Sequence, residues 1–366
     1  MSITKNKSNY CLIMAGGLGS RFWPMSKLSH PKQFIDILGT GKTLIQQTYE
    51  RYLKNFYKEN IFILTNEIYR DLVKKQLPEI KDTQILCEPA RRNTAPCIAY
   101  ATYKIAQIDP NANFVVSPSD HIIMKEDIFS EMVDLALKAS ASEDILITIG
   151  IKPSRPDTGY GYIQFVDDIK NKNEKIKKVK TFTEKPNLEM AKFFVQSGDF
   201  MWNAGIFIWS LKSITEAFDN FLPEISSVFK DGNNKYNTSE ETDFIKNAFT
   251  VCKSISLDYG IMEKADNVHV VCADIGWSDL GTWGSLYDNS EKNKSGNVVT
   301  GNNVLLYDSK NCIIKFPQEK LAVIQGMSDY IIVESDNILL ICKKSEEQQI
   351  RQFVNDVKIK KGEQFV

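Results

Sequence analysis

The sequence is short of the patterns that mark metalloproteins, membrane proteins and nucleic-acid binders. Its three histidines, His30, His121 and His269, are far apart and form no metal-ligand spacing. The seven cysteines stand at 11, 87, 97, 252, 272, 312 and 342, and no two are close enough for a CxxC pair. A zinc site is therefore not expected. Cys11 and Cys342 sit in apolar runs, which reads as reduced, buried thiols in a cytoplasmic protein. No run of about 18 apolar residues occurs, so neither a transmembrane helix nor a membrane partner is expected. The first nine residues are polar and lack the apolar core of a signal peptide. A formal net charge of −1 argues against a nucleic-acid partner, which usually demands a basic face. The 366 residues, 43% hydrophobic and 25% charged, suit a globular chain of about two domains.

What is present is a glycine turn. The apolar run Tyr10-Cys11-Leu12-Ile13-Met14 ends in Ala15-Gly16-Gly17-Leu18-Gly19, followed by Ser20-Arg21-Phe22-Trp23-Pro24 and then Pro31-Lys32-Gln33-Phe34. A strand feeding such a turn presents backbone N–H groups to phosphate oxygens. The glycines alone fit a tight strand–helix turn with no ligand, but a turn does not need two cations, Arg21 and Lys32, at this spacing. Other phosphate-binding patterns fail. A dinucleotide fingerprint needs G-x-G-x-x-G, and Phe22 holds the third glycine position. Gly41-Lys42-Thr43 hints at a Walker A loop, but Asp36 replaces its first glycine. The rest of a protein-kinase signature set is missing.

The phrase GGLGSRFWP…PKQF resembles the signature of the sugar-nucleotide pyrophosphorylases, a nucleotidyltransferase family, and within it is most similar to the mannose-1-phosphate guanylyltransferases. The resemblance implies that Ala15, Gly16, Gly17, Gly19 and Ser20 wrap a nucleoside triphosphate, with Arg21 and Lys32 steadying its phosphates.

Strand-like runs at 10–14, 61–64, 84–87, 113–117 and 144–149 alternate with helical patterns near 43–57, 67–76, 95–108 and 126–142. This predicts an α/β fold: a Rossmann-like, mixed and mostly parallel sheet with helices on both faces. Ligands of such sheets gather at the C-terminal ends of strands, which selects loops 15–21, 88–94 and 117–121. In the second of these, Glu88-Pro89-Ala90-Arg91-Arg92-Asn93-Thr94-Ala95-Pro96, Asn93 or Thr94 is placed to cap the next helix. Capping does not account for Glu88. An ionised carboxylate only accepts hydrogen bonds, and guanine offers two adjacent donors, its ring N–H and its amine. The segment also resembles the family's guanine-reading stretch, which implies nucleotide contacts for Glu88, Asn93 and Thr94. Asp120, in Ser117-Pro118-Ser119-Asp120-His121, fits a turn residue or helix cap. It also resembles the family's P-A-D-H motif, with Ser119 for Ala, which implies a Mg²⁺ ligand; Mg²⁺ takes one or two carboxylates plus phosphates and waters.

Beyond residue 150 the pattern changes. Thr158-Gly159-Tyr160-Gly161 opens a strand, and the lysine-rich stretch 170–180 reads as a solvated hairpin flank. Thr181-Phe182-Thr183-Glu184-Lys185-Pro186 is similar to the family's F-V-E-K-P motif, and Trp202-Asn203-Ala204-Gly205 to its sugar pocket. The resemblance thus implies sugar-phosphate contacts for Gly159, Glu184, Lys185 and Asn203. The phrase Trp277-Ser278-Asp279-Leu280-Gly281-Thr282-Trp283 is similar to W-x-D-x-G-x-W, which implies that Asp279 is the second Mg²⁺ ligand. Asp274 is an alternative that spacing does not exclude, and Asp279 also fits a cap for a helix near Leu280.

Residues 211–264 read as mostly helical, with a polar break at 231–239. Apolar runs at 303–306, 312–315, 321–324, 330–333 and 338–342 then show all-β spacing, before a helix at 345–356. We expect a catalytic domain over 1–288 and a small β-helix-like domain over 289–366, which the resemblance associates with a homodimer. The isomerase domain of longer family members is not expected within these 366 residues, so transferase activity alone is expected. The implied reaction joins GTP and α-D-mannose 1-phosphate into GDP-mannose and pyrophosphate, with Arg21, Lys32, Asp120 and Lys185 as its catalytic groups. A glucose or heptose 1-phosphate substrate, another base, or a silent nucleotide-sensing subunit are the competing readings.

Overall fold

The computed structural model describes residues 4–166 and 175–366. The chain forms two compact units, one of residues up to 16, 48–119 and 123–277, the other of 17–47, 120–122 and 278–366.

The first unit is built on a nine-stranded sheet. Its strands are β1 (Asn9–Met14), β2 (Ile61–Asn66), β3 (Ile85–Glu88), β4 (Asn113–Pro118), β5 (Leu146–Ile151), β6 (Gly161–Phe165), β7 (Ile176–Glu184), β8 (Phe200–Ser210) and β9 (Val268–Cys272). In space they run β3-β2-β1-β4-β8-β5-β9-β7-β6. The first four are parallel, with Cys11 opposite both Ile61 and Val115. Cys11, Leu12 and Ile13 are wholly buried, as strands covered on both faces require. β8 inserts antiparallel between β4 and β5, so the sheet is mixed. The helices are α1 (Leu44–Tyr52), which begins in the second unit and belongs to the first from Thr48, α2 (Arg70–Gln76), α3 (Thr94–Ala106), α4 (Glu126–Ser142), α5 (Leu188–Ser197), α6 (Leu211–Phe221), α7 (Pro223–Lys230) and α8 (Glu241–Val251). One apolar core joins Leu12, Leu64, Phe114 and Val116 of the sheet to Ile98 and Ile105 of α3 and Phe218 of α6. A clamp fixes α8 to α3: the Lys104 ammonium and the Tyr100 hydroxyl both donate to the Glu241 carboxylate.

Two irregularities prepare the site. Between β5 and β8 the register slips: Thr148 faces Phe207, whereas Gly150 faces Asn203. The bulge holds Gly205 at φ 67°, a left-handed conformation that glycine adopts without cost. A single π-turn, Asp258–Met262, precedes β9, the kind of insertion that often marks functional positions.

In the second unit β10 (Val298–Thr300), β12 (Ile313–Lys315) and β14 (Tyr330–Ser335) pair in parallel, β15 (Ile338–Lys343) adds antiparallel, and β11 (Val304–Tyr307) pairs with β13 (Ala322–Gln325). Helices α9 (Trp283–Asp288) and α10 (Ile350–Lys361) complete it. Its core brings Phe22, Ile37 and Leu44 together with Trp283, Ile313, Ile331 and Ile350.

Several expectations are corrected. α1 stops at Tyr52 instead of continuing to 57. There Asn55 leaves the helical path and exchanges hydrogen bonds with Ser130. The helix expected over 345–356 begins as a 3-10 turn, Lys344–Gln349, and becomes α-helical at Ile350, its first buried residue. The Glu347 carboxylate in that turn accepts from the Gly284 N–H (2.8 Å). Five of the seven free cysteines are buried, but Cys87 and Cys272 are only half-buried. Of the lysine-rich stretch, Lys170 and Lys172 lie outside the described residues; Lys178 and Lys180, on β7, are exposed.

Ile350 is fully buried in the second core. Ile350→Ala is expected to cost about 2–5 kcal/mol, read as a lower urea midpoint. An unchanged midpoint would show that α10 contributes nothing to the packing of this unit.

Candidate active site

In the second unit a cavity of about 250 Å³ is lined by Gly19, Ser20, Arg21, Phe22, Lys32, Asp120, His121, Asp279, Leu280, Gly281 and Arg351. The glycine turn shapes one wall. Gly19 sits at φ 61°, and a Cβ there would lie 2.3 Å from the Cβ of Lys32, so no other residue lets Lys32 in. The carbonyls of Gly19 and Gly17 accept from Ser26 Oγ (2.6 Å) and Gln33 Nε2 (3.0 Å). Ser20 opens a 3-10 turn, Ser20–Phe22, that fixes Arg21.

The buried Lys32 ammonium lies 2.9 Å from Asp120 Oδ2 and donates to the backbone carbonyl of Asp279 (2.7 Å). Burial raises the Asp120 carboxyl, but Lys32, His121 at 3.8 Å and a backbone hydrogen bond outweigh it and hold the group below its ordinary value. Asp120 is therefore an anion at neutral pH. Arg21 Nη1 donates to the Gly281 carbonyl (3.3 Å), while its Nε is buried without a hydrogen-bond partner.

Asp279 Oδ1 accepts from the Gly281 N–H (3.0 Å) across a tight turn with Leu280 at φ 44°. It does not cap a helix. That position falls to Thr282, which exchanges a reciprocal capping pair with Ser285 at the start of α9. Among the described residues no group of three or more His, Cys, Asp or Glu side chains is placed to hold a metal. Two carboxylates on one cavity fit a Mg²⁺ whose other ligands are phosphates and waters, and do not fit an all-protein cage. Asp274 is exposed and pairs with Lys125.

The remaining predicted residues belong to the first unit, in two clusters. In one, Ala15 is buried, its carbonyl accepting from Thr65 Oγ1 (2.9 Å), and a Cβ on Gly16 would lie 3.9 Å from Glu88 Oε1. Glu88, at the end of β3, is buried; this pushes its carboxyl up to about 7, against the opposing pull of the Cys97 thiol and Arg91. Neither proposed side-chain cap of α3 forms. Asn93, held at φ 61°, donates to Ser254 Oγ (3.0 Å), and Thr94 Oγ1 accepts from the Leu257 N–H (2.8 Å). Both side chains instead tie the loop to 254–257.

The other cluster gathers Glu184, Lys185 and Asn203 with a residue that sequence reasoning missed, Asp258. Asn203 Nδ2 donates to Asp258 Oδ1 (2.9 Å), and its Oδ1 accepts from Thr148 Oγ1 (2.9 Å) and the Gly205 N–H (3.0 Å). Its acceptor is thus fully used, leaving only a donor for a ligand. Lys185, at φ 48°, pairs with Glu184 Oε1, whereas Glu184 Oε2 is buried without a partner. Burial and then the Glu184 charge push Asp258 up to about 6, against its backbone hydrogen bond, Lys185 and Asn203. The signal for Asp258 was slight: one acid before the buried run Gly260-Ile261-Met262. Gly159 donates to Asp157 Oδ1 (2.9 Å). It is Gly161 that stands against this cluster: a Cβ there would lie 2.4 Å from Glu184 Oε2 and 3.2 Å from the Asn203 Cβ.

The Nucleotidyl transferase family model matches residues 10–296, and the MannoseP isomerase/GMP-like beta-helix domain model matches residues 301–357. Mannose-1-phosphate guanylyltransferase 2 of Escherichia coli O157:H7 is 35% identical over 364 residues, which cover 97% of this chain and 74% of that protein. Mannose-1-phosphate guanylyltransferase of Sinorhizobium fredii strain NGR234 is 36% identical over 348 residues, 93% and 66% of the two chains. A crystal structure described as mannose-1-phosphate geranyltransferase from Thermus thermophilus superposes with a TM-score of 0.85 at 26% identity, covering 96% of this chain and 99% of that one.

The Glu88 carboxyl gives a signed pH dependence. Its folded value of about 7 exceeds the ordinary 4.5, so the folded protein holds this proton more tightly than the unfolded chain. The stability it contributes is complete below about 4.5 and is lost as pH rises through 7. Relative to Glu88→Gln, the wild type should lose thermal stability between pH 6 and pH 8. A gap that does not change with pH would show that Glu88 is already ionised at pH 6.

Proposed function

Because the chain belongs to the nucleotidyl transferase family, we propose that it transfers GMP from GTP to α-D-mannose 1-phosphate, forming GDP-mannose and pyrophosphate. The observation that carries this reading is Lys32 held between the Asp120 carboxylate and the Asp279 carbonyl, on a cavity also lined by Arg21. The names of the relatives supply the two substrates.

The nucleophile is a phosphate oxygen that already carries charge. It attacks the α-phosphorus in line while pyrophosphate leaves from the opposite side. Neither a general base nor a covalent intermediate is called for, and catalysis comes from placement and charge stabilisation. Asp120 and Asp279 would hold a Mg²⁺, which supplies charge neutralisation at the α-phosphate. Lys32 would pass from its present partners to phosphate oxygens, and Arg21 would meet the charge that builds on the departing pyrophosphate. Lys185 would hold the attacking phosphate. Glu184 and Asp258 would accept from sugar hydroxyls, with Asn203 donating. Glu88 would accept from the guanine ring N–H and amine, which requires its ionised form, so GTP binding draws off its proton. The same reading keeps 1–288 as the catalytic region and gives 289–366 the contact of a homodimer.

Pyrophosphate release across a grid of nucleoside triphosphates and sugar 1-phosphates tests the assignment. GTP with mannose 1-phosphate should be the preferred pair, and preference for any other pair would overturn it. Asp120→Asn should cut turnover by about two orders of magnitude or more while the fold survives by circular dichroism; near-normal turnover would remove Asp120 from the metal site. Glu88→Gln should lower the kcat/KM ratio of GTP over ATP by about ten-fold or more, and an unaltered ratio would exclude Glu88 as the base reader.

A further inference from the structure

We propose that Arg351, at the second position of α10, is a pyrophosphate-binding residue: with Arg21 it forms a two-guanidinium clamp for the β- and γ-phosphates of the nucleotide and for the pyrophosphate released from it. The inference rests on the transfer reaction proposed above, but on neither its sugar nor its base.

Three observations carry it. First, Arg351 lines the same cavity as Arg21, Lys32, Asp120 and Asp279, although it comes from the far end of the chain. Second, the two guanidiniums share the cavity wall and no carboxylate pairs with either: among the described residues neither Arg21 nor Arg351 forms an ion pair. The Arg21 charge, then burial, hold the Arg351 guanidinium below its ordinary value, the mark of like charges in proximity. Two neighbouring cations repel unless an anion sits with them. Third, the buried Arg21 Nε has no hydrogen-bond partner, a cost that a bound oxyanion would remove.

The placement is built into the packing. Ile350 is fully buried in the core that also holds Phe22 and Trp283, and this seats the first turn of α10. Arg351, the next residue, is exposed and so free to present its guanidinium at the cavity. The charges also sort by position. Lys32 is engaged with Asp120, and Asp120 and Asp279 are the two carboxylates on the wall, so the uncompensated positive charge lies at the arginines. Planar guanidiniums grip phosphate oxygens in pairs, and two of them can divide the two phosphorus centres of a diphosphate.

The test compares wild type with Arg351→Ala and Arg351→Lys, using calorimetric titration of inorganic pyrophosphate in Mg²⁺ buffer and steady-state kinetics in both directions. Arg351→Ala should weaken pyrophosphate binding by about ten-fold or more, the scale of one charge-assisted contact. It should raise KM for the nucleoside triphosphate similarly, with KM for the sugar phosphate and the melting temperature unchanged. Arg351→Lys should recover part of the loss. Wild-type pyrophosphate affinity in Arg351→Ala would overturn the proposal, as would equal loss of pyrophosphate and sugar phosphate, or a wild-type protein that binds no pyrophosphate. A wild type preferring another sugar or base would sink the substrate assignment alone, because every such transfer releases pyrophosphate.

Discussion

One ammonium group sets the terms for the second unit. Lys32 is buried, and a buried charge is tolerable only with partners of good geometry. It has two, the carboxylate of Asp120 and the backbone carbonyl of Asp279. The Phe22 ring adds a third favourable surface, its centroid 5.8 Å from Nζ. Three stretches distant in sequence are thereby tied at one atom. Gly19 is the condition for this arrangement, since any side chain there would occupy the space of the Lys32 stem. Under the transfer reaction proposed above, phosphate oxygens would take over the role of the carboxylate toward this ammonium.

The first unit solves the reverse problem. Around Asn203 two carboxylates, Glu184 and Asp258, face one ammonium, Lys185. Burial first, and then the Glu184 charge, lift the Asp258 carboxyl toward neutral pH, and Lys185 answers them only in part. Irregular backbone makes the cluster possible. The β5–β8 bulge follows Asn203, whose Oδ1 accepts from the Gly205 N–H within it, the π-turn carries Asp258, which Asn203 meets, and bare Gly161 leaves room for Glu184. Each device gives up regularity where a polar group is buried.

The strand–helix alternation, the mixed sheet and the β-rich C-terminal region were legible because apolar runs and turn residues are local signals. The glycine turn, Asp120 after β4 and Asp279 after β9 were legible as phrases. What escaped were pairings between distant residues. Asp258 meets Asn203 across 55 positions, and nothing beside it in sequence announces a polar site. Arg351 looks like one more surface charge on a basic helix until α10 is docked. The caps failed for a related reason. Asn93, Thr94 and Asp279 are all good cap formers, but each found another partner: Ser254, the Leu257 N–H and the Gly281 N–H. Propensity names the residues able to make a bond and leaves open which bond they make.

Lys315 shows how the C-terminal strands hold the segment that carries Lys32. Its ammonium, buried on β12, donates to the backbone carbonyls of Ile37 (2.7 Å) and Asp36 (3.4 Å). Burial pushes it down to about 8, with Asp36 pulling the other way. A lysine so placed is costly, and its return is the pinning of the segment that begins with Pro31 and Lys32. Ile37 and Leu44 of that segment share a core with Ile313 and Ile331 of the strands. The sequence pattern changes near residue 289, but packing does not divide there: 17–47 folds with 278–366 as one compact body. Without the strands, the Lys32 segment would lose both its core and its clamp. In this chain the β-rich region is therefore part of what holds the Lys32 segment in place.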